Sequence, residues 1–343
     1  MSFGSSIWGV TATRLNPQGE NSGHTLLVGR EGVKVDYAQP LRQRSEDVVS
    51  CADAGGLATA RAETDSIQIP LPSFFVVGPP RTGTSWIHQV LQRHANLPTP
   101  TKETRFFDCH FHRGVDWYLK HFPEIRPECP TGEIAPTYFA SAEAREAIAQ
   151  TIPGAKLIFV FRNPVQRIVS LYRVKRAYGL LRCSLEEALR DDPELIASAQ
   201  YATYLQKWTE AFPREQMLVT LYDDLCASPQ RYMDRLFTFL DVPGEILSKA
   251  EQRHVHSSER MTQPRNFLVT RTATAIADWC KAHNLDNLVA SVRESQLREV
   301  FLGGGAPFPE VSHSVRRRIK QLFWPEVESL QTMIGRDLSM WNS

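Results

Sequence analysis

The chain has 343 residues of ordinary globular composition, 42% hydrophobic and 22% charged, enough for two average domains or one large α/β domain with additions. Its 39 basic and 38 acidic residues leave a formal charge of +1, so there is no bulk field to collect nucleic acid or an anionic membrane, and any polyanion site is local. Six scattered cysteines (Cys51, Cys109, Cys129, Cys183, Cys226, Cys280) form no C-x2-C pair and have no histidine spacing suited to zinc. No stretch approaches the roughly 18–20 apolar residues of a membrane span, and the N-terminus lacks a basic and an apolar region. The expectation is a soluble, cytoplasmic protein with free thiols.

Residues 1–70 read as an N-terminal extension rich in Gly, Ser, Thr and Ala. Within it, residues 25–28 and 33–37 flank Gly29-Arg30-Glu31-Gly32 as a candidate β-hairpin, and 50–65 reads as a linker. From Leu71 the pattern turns to strand–helix alternation, which predicts an α/β fold for 71–343: a three-layer parallel sheet with helices on both faces. Continuous apolar runs at 74–77, 157–161 and 217–222 predict buried strands, and 132–135 a fourth that ends at Pro136.

Helical patterns lie between these runs. Ile87, Val90 and Leu91 follow helical spacing, and Asn163 with Pro164 predicts a capped helix start, buried through Val165, Ile168, Val169 and Tyr172. Ser184 with Glu187 reads as a capping box. Tyr201, Leu205, Trp208 and Phe212 make another stripe, and Ser228-Pro229 opens a further helix. The motif-bearing core is 71–240. Residues 241–343 form a mostly helical C-terminal part, with interruptions predicted at 303–305 and Pro325. The polar stretch 253–266, with His254, His256, Arg260 and Arg265, reads as a surface loop or as a flap over a ligand at the sheet edge. The basic runs Arg173-Val174-Lys175-Arg176 and Arg316-Arg317-Arg318 with Lys320 read as solvated helix faces.

Three segments carry chemistry. Gly78, Gly83 and Ser85 have the spacing of a P-loop-like phosphate-binding loop, but Thr84 stands where a Walker loop places the lysine that reaches the β- and γ-phosphates. The only cation in the loop is Arg81. Backbone N–H groups of Gly83, Thr84 and Ser85 at a helix start, the hydroxyls of Thr82, Thr84 and Ser85, and the Arg81 fork predict an anion cradle. In the second segment Arg162 closes a predicted strand and Ser170 sits about two helical turns on. In the third, Lys102-Glu103-Thr104-Arg105-Phe106-Phe107-Asp108, an aromatic pair fixes a carboxylate that could act as a general base.

These segments, in this order, resemble the PAPS-dependent sulfotransferase family (PAPS, 3′-phosphoadenosine 5′-phosphosulfate), in the style of its carbohydrate-type and bacterial members. Arg81-Thr82-Gly83-Thr84-Ser85-Trp86 is similar to the family's 5′-phosphosulfate loop, and Arg162 with Ser170 to its 3′-phosphate pair. Lys102-Glu103 with Phe106-Phe107 resembles the segment whose glutamate is the base in carbohydrate-type members. Glu133 to Phe139 resembles a further recurrent segment, with a weaker echo at Gly335 to Trp341. The resemblance implies PAPS as co-substrate, PAP as product and no required metal, with Glu103 and Arg81 catalytic and Lys102, Arg105 and Asp108 near the acceptor. His110 and His112 are spare imidazoles that could replace the base. Many glycan-modifying members carry lysine where Arg81 stands. The acceptor is therefore open, a hydroxyl (less readily an amine) of a glycan, lipid or natural product. The rival readings are a P-loop nucleoside or small-molecule kinase using Asp223-Asp224 for Mg²⁺, and a non-catalytic nucleotide-binding or scaffold protein.

Overall fold

A computed structural model gives the fold and describes residues 70–122, 124–253, 261–283, 285, 288–289, 291–292 and 304–342. The candidate hairpin, the linker, and His254, His256 and Arg260 lie outside the described residues. Every element below belongs to the unit Asp65–Ser343.

Strands β1 (Phe74–Val76), β2 (Gly132–Ile134), β3 (Lys156–Phe161) and β4 (Met217–Leu221) fall on the four predicted runs. They form one parallel sheet in the order β2-β1-β3-β4. Between them run α1 (Thr84–Leu91), α2 (Val115–Leu119), α3 (Ala142–Thr151), α4 (Pro164–Ala177), α5 (Leu185–Asp191), α6 (Pro193–Ala197) and α7 (Tyr201–Ala211). After β4 come α8 (Tyr222–Ala227), α9 (Pro229–Leu240), α10 (Lys249–Arg253), α11 (Phe267–Ala282) and a long C-terminal helix, His313–Ile334.

The period-2 pleat divides the core in two. Leu157, Phe159 and Phe161 of β3 pack with Ile148 of α3, Leu205 and Trp208 of α7, and Val327 and Leu330 of the C-terminal helix. Ile158 and Val160, on the opposite face, pack with Ile87, Val90 and Leu91 of α1 and Met233, Leu236 and Phe237 of α9. Apolar residues on both faces of β1, β3 and β4 are what made those runs continuous in sequence, and they demand a helix layer on each side.

The predicted caps form at two sites. Asn163 Oδ1 accepts from the N–H of Val165 (3.0 Å) and of Gln166 (3.4 Å), and Ser184 and Glu187 close a capping box. At Ser228 the helix starts as expected, but the hydroxyl makes no capping bond. One expectation for the C-terminal part needs correction. The last helix runs through Pro325 unbroken, because buried Val315, Ile319, Phe323, Val327 and Leu330 hold one continuous stripe that outweighs one missing N–H donor. Gly304–Pro307 is a strand (β6), paired antiparallel with β5 (Thr262–Pro264). Arg316, Arg317 and Arg318 are exposed, as a solvated face requires. The 173–176 run instead braces α4: Lys175 pairs with Asp192 and Glu194 (both 2.6 Å), and Arg176 donates to the carbonyls of Arg182 and Cys183.

Candidate functional site

The sheet order reverses between β1 and β3. The chain passes from β1 through α1 to β2 on one side, while β3 lies on the other, and the crevice outside the carboxyl ends of two such strands is where α/β sheets take ligands. The first and second sequence segments leave from these two strands.

Loop geometry explains its glycines. A Cβ on Gly78 would lie 2.2 Å from the Val160 backbone nitrogen, so only glycine lets the loop leave β1 flush against β3. Gly83 has φ +94°, and a Cβ there would meet Leu225 Cδ2 at 2.8 Å. Trp86 N–H and Ile87 N–H both bond to Gly83 O, so the N–H groups of Thr84 and Ser85 precede the first intrahelical bonds of α1. They mark the positive end of the helix. Arg81 also sits in the left-handed region (φ 74°) and donates through Nε to Ser170 Oγ at 3.1 Å, across 89 residues of sequence.

Arg162 approaches from β3. Its Nη1 donates to Arg81 O (3.2 Å), its Nε to Gln166 (3.3 Å), and its guanidinium lies 4.2 Å from the centre of the Tyr222 ring. Its own carbonyl accepts from the Tyr201 hydroxyl at 2.8 Å. Burial first, and then the neighbouring Arg162 charge, lower the Arg81 pKa. Among the described residues neither arginine has a carboxylate partner, so two guanidiniums meet in one crevice with their charge uncompensated.

The third segment lies beside the loop. Lys102 Nζ donates to Thr84 Oγ1 (3.4 Å) and to Glu103 (3.3 Å), placing the candidate base next to the cradle. Burial lowers the Lys102 pKa, against the pull of Glu103. Arg105 pairs with Asp108 at 2.7 Å and reaches the Cys109 sulfur at 3.0 Å. Phe106 and Phe107 are buried and stack among Tyr118, Tyr138 and Phe75. His110 and His112 sit on the outer turn of this segment, where burial lowers the His110 pKa.

Two predicted ligand-facing side chains turn elsewhere. The Thr82 hydroxyl is buried and donates to Pro79 O at 2.8 Å, which shapes the loop and leaves only its backbone for an anion. Trp86 is 5% exposed and its indole N–H donates to Glu251 O, tying α1 to α10. Asp223 and Asp224, the carboxylates of the kinase reading, are also engaged. Asp223 accepts from Trp341 Nε1 (3.0 Å) and Asp224 forms a double contact with Arg336.

Sequence reasoning gave no individual role to several residues around the site. Glu133 of β2 is fully buried beneath the Glu103 segment. Its Oε1 accepts from the N–H (2.6 Å) and hydroxyl (2.8 Å) of Thr104, and its Oε2 from the hydroxyls of Tyr118 (3.0 Å) and Tyr138 (3.1 Å). A carboxylate in the middle of an apolar strand run was the available signal. His88, one turn after Thr84, is held neutral because burial and then the Lys102 charge lower its pKa to about 4. A crevice of about 320 Å³ opens beside Pro80 and Arg105, walled by the 136–140 turn and by Glu194, Ala197 and Ser198.

Fold and site together define an α/β protein whose β1–α1 loop has P-loop spacing without the Walker lysine. The chain belongs to the sulfotransferase family, whose members use PAPS: the family model for the sulfotransferase domain matches residues 71–276. Over 196 residues it is 32% identical to the bifunctional heparan sulfate N-deacetylase/N-sulfotransferase 2 of Bos taurus and to that of Homo sapiens. The match covers 50% of this chain but 22% of each relative, so the chain spans about a fifth of their length. A sulfotransferase crystal structure from Alicyclobacillus acidocaldarius shares the fold, with a TM-score of 0.58 at 22% identity over 80% of this chain and 100% of that one.

Proposed function

We propose that the chain transfers a sulfuryl group from PAPS to an acceptor hydroxyl or amine by in-line displacement. The observation that carries this reading is the meeting of Arg81 and Arg162, joined by the bond from Arg162 to the Arg81 carbonyl and with Ser170 on Arg81, without a carboxylate partner among the described residues. A donor with a 5′-phosphosulfate and a separate 3′-phosphate needs two such grips, whereas a nucleoside triphosphate has no use for the second. PAPS, when bound, supplies a sulfuryl group on a phosphate leaving group. Thr84 and Ser85 N–H with Arg81 bind that phosphate and stabilise the charge that develops on it. Arg162 and Ser170 take the 3′-phosphate. Glu103 receives the acceptor proton, and Lys102, between Thr84 and Glu103, bridges cradle and base. Arg105, paired with Asp108, lines the crevice by which the acceptor enters. Acceptors with a glycan amine gain weight from the relatives' names, which state N-sulfotransfer on heparan sulfate.

Calorimetry with PAP, using ATP without Mg²⁺ for comparison, tests the donor. Tight PAP binding with little for ATP is expected; preference for ATP would return the kinase reading, and binding of neither would favour the scaffold reading. Glu103→Gln is expected to keep PAP affinity while losing about 10²-fold or more of turnover with labelled PAPS. Unchanged turnover would remove Glu103 from the chemistry.

A further inference from the structure

We propose that the C-terminal tail belongs to the donor site, with Trp341 acting as a positioning residue for Arg162. The inference rests on the reading of Arg162 as the grip on the 3′-phosphate.

Besides the bond from its Nη1 to the Arg81 carbonyl, four contacts set where the Arg162 guanidinium points. Its main chain is fixed by the Tyr201 hydroxyl on its carbonyl and by Asn163, which caps α4 immediately after it. Its side chain lies over Tyr222 and bonds to Gln166. Trp341, 179 positions on in the sequence, reaches two of these supports and the neighbour of a third. Its carbonyl accepts from Asn163 Nδ2 at 3.2 Å in a buried contact. That bond fixes which way the Asn163 amide faces, because the other end of the amide must turn its oxygen to the N–H groups of α4. Its ring meets Tyr201 edge-on at 6.4 Å. Its indole N–H donates to Asp223, the residue after the Tyr222 whose ring carries the guanidinium.

The tail is built to hold that position. Arg336 clasps Asp224, Leu338 N–H donates to Gln331, Leu338 is fully buried, and Trp341 is 2% exposed. Lys320 donates to the Asn342 carbonyl. A buried indole needs a partner for its N–H, as Trp208 has at Phe139 O; for Trp341 that partner lies at α8, and its main chain bonds to the cap of α4. Trp341 makes both, one on either side of Arg162. The tail thus joins the start of α4 to the start of α8, the two elements between which the guanidinium is held.

Two variants test the link without removing the ring. Trp341→Phe deletes the N–H to Asp223. Asn163→Asp retains a good helix cap but sets a carboxylate oxygen against the Trp341 carbonyl. Each is titrated with PAP and with adenosine 5′-phosphosulfate, which lacks the 3′-phosphate, and melted in parallel. PAP affinity is expected to fall roughly three- to tenfold in each variant, while adenosine 5′-phosphosulfate affinity changes by less than about twofold. An unchanged ratio of the two affinities, with or without a lower melting temperature, would make the tail merely structural and overturn the inference. Arg162→Ala in the same titrations separates the two possible failures. If it shifts the ratio and the tail variants do not, the tail proposal alone falls; if it also leaves the ratio unchanged, the 3′-phosphate reading fails and takes the proposal with it.

Discussion

Glu133 shows how one buried group can link the fold to the proposed base, Glu103. Its carboxyl is fully buried, and desolvation pushes its pKa up to about 7 although Thr104, Tyr118 and Tyr138 all donate to it. As a carboxylate it accepts four hydrogen bonds. As a neutral acid it must donate one, so one of the four is lost or reversed, and Thr104, next to Glu103, is among the partners. Because the folded pKa lies above the ordinary 4.5, this group's contribution to stability is complete below about pH 4.5 and is lost as pH rises through about 7. The interval corresponds to about 3 kcal/mol. Glu133→Gln cannot titrate, so its stability relative to the parent is expected to improve as pH is raised from about 5 to about 8, by up to that amount. Denaturant midpoints of both proteins across that range provide the check. A pH-independent difference would show that Glu133 holds the same charge throughout.

At the scale of elements, the tight loop after β1 was readable because its steric constraints fall on glycines, which the sequence shows directly. Gly78 must pass the Val160 backbone, and Gly83 must take φ +94° against Leu225. Gly83→Ala is therefore expected to destabilise the protein by about 1–3 kcal/mol and to weaken PAP binding by at least tenfold, since the strain falls on the turn that aims the Thr84 and Ser85 N–H groups. Thermal unfolding and calorimetry on the same sample measure both, and normal PAP affinity would detach the cradle from this turn. Strands β1, β3 and β4 were legible for a related reason: burial on both faces leaves a nearly uninterrupted apolar run. Side-chain direction was not legible. Nothing local shows that the Thr82 hydroxyl turns to Pro79 or that the Trp86 indole turns to Glu251, since both partners are set by how the loop and α10 pack. The unbroken helix at Pro325 was hidden in the same way, because its buried stripe has meaning only once the sheet it covers exists.

Across the whole molecule, what the sequence could not convey were pairings between distant segments: Arg81 with Ser170, Glu133 with Thr104, and Trp341 with Asn163 and Asp223. Each is decided by strand order, which no window of sequence contains. The sheet that makes these pairings also separates stability from binding, because the helix-packed core and the crevice lie at different places on it. Trp208 tests that separation. It is fully buried on α7, packs against Phe159 and Phe212, and donates to Phe139 O at 2.9 Å. Trp208→Ala is expected to cost about 3–5 kcal/mol. A ligand that binds only the folded state restores stability by mass action, so PAP at about 100 times its Kd should return about 2.7 kcal/mol to the parent and to Trp208→Ala alike. Arg162→Ala at the same PAP concentration should recover less, in proportion to its weaker affinity. Chemical unfolding of the three proteins with and without PAP measures this. Equal recovery in the first two means that the core supports the crevice without tuning it. A smaller recovery in Trp208→Ala, at the same PAP concentration as the parent, would mean that loosening α7 reaches Tyr201 and, through its hydroxyl, the carbonyl of Arg162.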